Sequence, residues 1–108
     1  MPKKIIGAIS MERNEENKVY QDAIELFGVT SQKIMVIEEM SELTKELCKE
    51  LRDRGNVEDI ADELADVEIT LAQIKQIYNI HQMVEEHKDY KLRRLSAVME
   101  KIKAGELK

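Results

Sequence analysis

Apolar residues return at three- and four-residue intervals along most of this chain, the period of α-helices with one buried face. Val19, Tyr20, Ala23, Leu26 and Phe27 mark the first stripe, in a helix predicted from Asn14. Gly28 follows as a left-handed stop, and Thr30 and Ser31 are suitable N-caps for the next helix. That second helix is predicted over Gln32 to Arg54, striped by Val36, Met40, Leu43, Leu47 and Leu51 and ended by Gly55. Asn56 caps a third helix, Val57 to Tyr78, with Ile60, Leu64, Val67, Leu71 and Ile74 on its face. After a break at Asn79-Ile80-His81, a fourth spans Gln82 to Lys103 with Val84, Leu92, Leu95, Met99 and Ile102. Short connections between four such helices predict an all-α fold, a four-helix antiparallel bundle. Residues 1–13 carry no period and read as an irregular arm, in which Ile5, Ile6 and Ile9 offer packing for the body or for a second subunit. The tail 104–108 reads as frayed.

Composition narrows the function. The chain of 108 residues has one compositional regime and so reads as a single domain, 1–108, with 43% hydrophobic residues for a modest core. Lys plus Arg number 17 and Asp plus Glu 22, a net charge of −5, which argues against gripping a nucleic acid polymer directly. No apolar run approaches a membrane span or a signal-peptide core. Cys48 is the only cysteine, so no intrachain disulfide forms, which suits the cytoplasm; it reads as a packing residue.

Charge is concentrated: residues 35–70 hold 12 acidic and 4 basic side chains. Within that stretch helices two and three repeat each other at an offset of 24, with Glu39 matching Glu63, Glu42 matching Asp66 and Leu43 matching Val67. Each helix therefore carries a carboxylate pair at i and i+3, side by side on one face and bordering the apolar stripe. If the stripes pack against each other, Glu39, Glu42, Glu63 and Asp66 converge. Two such charges about 4 Å apart repel by roughly 4 kcal/mol at an effective dielectric of 20. The nearby bases Lys45, Lys49, Arg52 and Arg54 lie toward the end of helix two. A divalent cation is the economical counter-charge, and an all-oxygen donor set favours Mg²⁺, Mn²⁺ or Ca²⁺ over Zn²⁺. Mg²⁺ keeps open positions that substrate phosphates fill, so the pattern points to phosphate chemistry.

Glu38-Glu39-Met40-Ser41-Glu42-Leu43, followed after 20 intervening residues from Glu42 by Glu63-Leu64-Ala65-Asp66-Val67, resembles the E-E-x-x-E … E-x-x-D signature of the MazG-like all-α nucleoside triphosphate pyrophosphohydrolases. Phe27-Gly28 with Ser31-Gln32 before it, and Lys91-Leu92-x-Arg94-Leu95 after it, are similar to the flanking motifs of that family. The likeness covers roughly residues 20 to 102. It implies hydrolysis of a nucleoside triphosphate between the α and β phosphates, giving the monophosphate and pyrophosphate with Mg²⁺ or Mn²⁺, in nucleotide-pool control. It implies Glu39, Glu42, Glu63 and Asp66 as metal ligands, Glu38 as a further ligand or the residue that activates water, and Lys91 and Arg94 as phosphate contacts. It also implies a homodimer or homotetramer.

Other residues read more plainly. His81 and His87 do not complete the Glu-x-x-His motif of di-iron bundles. Gln32 suits a base contact but reads as a surface residue. Tyr20, Phe27, Tyr78 and Tyr90 read as core, and Glu46 and Glu68 as water-facing. The competing expectation is a non-catalytic helical module that binds a protein partner or senses a nucleotide. It is motivated by the heptad-like apolar spacing of every helix.

Overall fold

A computed structural model describes residues 11–106, and the expected packing of Ile5, Ile6 and Ile9 lies outside them. Four helices form: α1 (Arg13–Phe27), α2 (Val29–Leu51), α3 (Val57–Tyr78) and α4 (His81–Lys103). There is no strand among the described residues, so the all-α expectation holds. The chain divides into two units, one ending at Tyr78 and one beginning at Asn79.

In the first unit α2 packs mainly on α3, and α1 lies against both. Side chains that cross between helices fix their direction. Lys33, at the start of α2, sets its ammonium 4.7 Å from the centroid of the Tyr78 ring, at the end of α3. The Gln76 amide on α3 donates to the Asn17 carbonyl on α1 at 3.2 Å. Glu39, further along α2, lies beside Glu63 and Asp66, earlier on α3, so α2 runs antiparallel to α3. The buried apolar residues are Ile24, Val36 and Val67, one from each helix. Around this small core Ala23, Leu43, Ile60 and Ile74 are half-buried. Met40, Leu47, Leu64 and Leu71, expected on the core-facing stripes, are exposed instead.

The helix ends show how local chemistry sets the boundaries. Glu15 reaches back to accept from the Glu12 backbone N–H at 3.1 Å, opening α1. Gly28 alone separates α1 from α2. Its φ of 95° belongs to backbone that side chains rarely adopt, its N–H donates to the Ile24 carbonyl, and its own carbonyl accepts from Gln32. Helix α2 thus starts at Val29, ahead of the expected caps Thr30 and Ser31, which lie inside the helix.

Helix α2 ends at Leu51, three residues short of the expected end, because Asp53 takes the left-handed turn at φ 58°. Gly55 serves a different purpose. A Cβ there would sit 3.0 Å from the Glu50 backbone nitrogen and 3.3 Å from the Glu46 carbonyl oxygen, so any side chain would press the link away from the α2 backbone. Asn56 caps α3 as expected, its Oδ1 accepting from the Asp59 N–H at 2.8 Å. Asn79, at φ 53°, closes α3.

The second unit is helix α4 and its C-terminal turn. No residue of α4 is buried, and Leu92, Leu95, Met99 and Ile102 are exposed. Its charges pair along the helix, Arg93 with Asp89 at 2.9 Å and Lys88 with Glu85 at 3.6 Å.

Candidate functional site

The facing of α2 and α3 brings Glu39, Glu63 and Asp66 together, with one carboxylate oxygen of each within 4.8 Å of the others. All three are half-buried. Three oxygens on one octahedral Mg²⁺ include neighbouring pairs about 2.9 Å apart, so these carboxylates would draw closer to share one ion. Three carboxylates make a hard, all-oxygen donor set of the kind that suits a divalent cation such as Mg²⁺, Mn²⁺ or Ca²⁺.

Electrostatics mark the same spot. Partial burial, then the charges of Asp66, Glu42, Glu38 and Asp62, raise the Glu39 carboxyl above its ordinary value of 4.5. Partial burial, then Asp66, Glu39, Asp62 and Glu42, raise Glu63 likewise. Among the described residues no basic side chain pairs with any of the trio. Glu42 and Glu38 are exposed neighbours that add negative potential without joining the close trio. Asp62, which the spacing argument overlooked, acts on both raised carboxyls. It lies one position before Glu63, off the i,i+3 register, and only the folded potential shows its part.

Beside the acids opens a cavity of about 320 Å³. Glu39 and Asp66 form one side of it, and residues of all three helices of the first unit complete it. Ala23, Phe27, Met35 and Ile69 give it an apolar lining, while Gln32, Thr70 and Gln73 add polar groups from the buried interior. Gln32, expected at the surface, is 4% exposed. Gln73 is 5% exposed, and its Oε1 has no hydrogen-bond partner among the described residues. The Thr70 hydroxyl donates to the Asp66 and Val67 carbonyls, 3.0 Å each.

Several sequence expectations change. Glu46 is buried rather than water-facing, on the same face of α2 as Gln32, Val36 and Leu43, with Oε2 held by Lys49 at 3.1 Å and Oε1 without a hydrogen-bond partner among the described residues. Cys48 is exposed, not packed. Of the four aromatic rings only Tyr20 is half-buried; Phe27, Tyr78 and Tyr90 are exposed. Lys91 and Arg94 stand exposed on α4, in the other unit, where the Arg94 guanidinium lies 5.7 Å from the Tyr90 ring centroid.

No helix among the described residues is long and apolar enough to cross a membrane. No family model matches the chain, and neither any curated protein nor any solved structure matches it.

Proposed function

We propose that this chain is a metal-dependent nucleoside triphosphate pyrophosphohydrolase, cleaving between the α and β phosphates to release a monophosphate and pyrophosphate. One observation carries the reading: Glu39 and Asp66 belong at once to a three-carboxylate cluster and to the wall of a cavity lined by apolar and amide groups. A ligand with a metal-hungry anionic end and a flat, hydrogen-bonding end fits that pairing, and a nucleoside triphosphate is such a ligand. The resemblance to the MazG-like signature supplies the reaction.

In this reading Glu39, Glu63 and Asp66 hold Mg²⁺ or Mn²⁺, with Glu42 adding charge beside them. A bound divalent ion supplies Lewis acidity toward the phosphates. Glu38, exposed next to Glu39, accepts the proton of the attacking water. The acid cluster in turn repels unmetallated triphosphate, so substrate enters as its metal complex. The exposed apolar residues of α2 and α3 favour self-assembly into a homodimer or homotetramer, in which a second copy covers Met40, Leu47 and Leu64.

The test is pyrophosphate release from a panel of canonical, deoxy and damaged triphosphates with Mg²⁺ supplied. Wild type releases pyrophosphate from at least one. Glu39→Gln abolishes turnover while its helical circular dichroism matches wild type. Full activity in Glu39→Gln, or a silent panel, refutes the assignment.

A further inference from the structure

Helix α4 carries an apolar row that stays exposed. Leu92, Leu95, Met99 and Ile102 follow one another at steps of three, four and three, and each is 45–60% exposed. Those steps keep one seam along the helix, the a and d positions of a heptad. Charges continue and flank it. Lys88 extends the row one step before Leu92, and Asp89 and Lys103 stand on the same edge of the seam, at equivalent e positions. Arg93 bonds Asp89 through Oδ2 at 2.9 Å, which leaves Oδ1 to solvent or to a partner. Lys103 comes no closer than 3.8 Å to Glu100, so its ammonium is loosely held.

Two copies of this row facing each other run either parallel or antiparallel, and the charges choose between them. Parallel and in register, Lys88 meets Lys88 of the second copy across the seam, and neither Asp89 nor Lys103 finds an opposite charge. Antiparallel, one register stacks all four apolar residues in layers, Leu92 on Ile102 of the second copy and Leu95 on its Met99. A heptad away on one side Met99 meets Lys88, and on the other Leu92 and Leu95 lie past the end of the facing helix. In the favoured register Asp89 of each copy comes opposite Lys103 of the other, and symmetry makes the pair twice. Lys88 then lies over the C-terminal end of the facing helix, where unpaired carbonyls carry partial negative charge. We infer that α4 pairs antiparallel with α4 of a second copy of this chain, about a two-fold axis. The overlap covers residues 91–103 of each copy, a short contact that forms and dissociates readily. It needs neither metal nor nucleotide, and it uses a different helix from the face of Met40, Leu47 and Leu64, so it fails or stands independently of the enzymatic reading.

The test traps the pairing in the full chain with Cys48→Ser as background. Leu92→Cys chains are mixed with Ile102→Cys chains under a glutathione redox buffer. The mixture gives a disulfide-joined dimer of the two different chains. Neither chain alone does so, because in the antiparallel pair each new thiol is about 15 Å along the axis from its own counterpart. The charges are tested by sedimentation equilibrium of chains without added cysteine, over about 1–300 µM, where short contacts dissociate. Asp89→Lys and Lys103→Glu, singly, set like charges opposite each other and weaken the association step about tenfold. Combined in one chain they restore it, although the combination leaves both intrahelical partners, Arg93 and Glu100, facing like charge. That restoration therefore reads the contact between copies and not the stability of the helix. Absence of the mixed disulfide overturns the inference, the result expected if another face of the chain or a different protein covers the row. A disulfide dimer of Leu92→Cys alone, the product of parallel pairing, overturns it too. So does a combined swap that associates no better than the single reversals.

Discussion

Replacing Asp66 by Asn should stabilise the metal-free protein and remove its response to Mg²⁺, two effects of opposite sign from one atom. The substitution keeps the side chain's shape and leaves untouched the bond that the Asp66 backbone carbonyl accepts from Thr70. It removes one charge from three that lie within 4.8 Å of each other. At that separation each pair repels by about 0.9 kcal/mol in water and about 3.5 kcal/mol at an effective dielectric of 20. The trio is only half-buried, so solvent screening brings the working value to about 1 kcal/mol per pair. Asp66 faces two partners, and its neutralisation should therefore raise the metal-free stability by about 1–2 kcal/mol. For a domain of this size that is a rise of about 4–8 °C or more in Tm. Wild type, by contrast, gains about 2.7 kcal/mol when Mg²⁺ is a hundredfold above its Kd, and the variant, short of one ligand in three, gains little. The assay is a pair of thermal melts at matched ionic strength, NaCl against MgCl₂, for each protein. The variant should melt above wild type in NaCl and below it in MgCl₂. A variant that melts lower in NaCl, or shows the same Mg²⁺ shift as wild type, refutes the claim that these carboxylates form one metal-binding cluster.

Acidity should act on the same cluster. Glu39 and Glu63 are raised above their ordinary 4.5, so the folded protein binds protons there more tightly than the unfolded chain. Their contribution to metal-free stability is fully present below 4.5 and is lost as pH rises through the raised values. Melts between pH 4 and 7 should show Asp66→Asn flattening this dependence, and Mg²⁺ opposing it most at the high-pH end, where the ligands are deprotonated. Gly55→Ala should destabilise by about 1–3 kcal/mol, since its Cβ meets the Glu50 and Glu46 backbone rather than a yielding side chain; a neutral urea midpoint would contradict the close approach. Asn56→Ala should cost about 1 kcal/mol through loss of the cap to Asp59, read from the same urea curves.

The elements and the acids were legible for the same reason: each depends on spacing within a helix. The third helix was placed at its observed bounds because a strong cap, Asn56, and a residue tolerant of positive φ, Asn79, frame it. Glu39, Glu63 and Asp66 were recoverable from a repeat of carboxylates beside a repeat of apolar residues. What spacing does not encode is which polar residues the fold covers. Thr70 lies between Val67 and Ile74 on the stripe of α3, with Gln73 three residues further on, and both line the hollow shared with α1 and α2. Glu46 lies in phase with Val36 and Leu43 on the covered face of α2, where its charge argues for water and its position for burial. The stripes misled where they promised burial, because three helices enclose only Ile24, Val36 and Val67 and leave Met40 and Leu64 to solvent.

The single residue between α1 and α2 has a consequence for how this chain can tolerate change in length. Ala23 and Phe27 precede Gly28, and Ser31, Gln32 and Met35 follow it, all facing the same hollow. Each residue added to a helix turns everything beyond it by about 100°. One insertion on either side of this joint would swing half of the lining away from the other half, whereas the same insertion in the link at 52–56 has several bonds over which to dissipate. Deep insertion scanning should therefore find its sharpest intolerance at this seam, outside the trio of Glu39, Glu63 and Asp66.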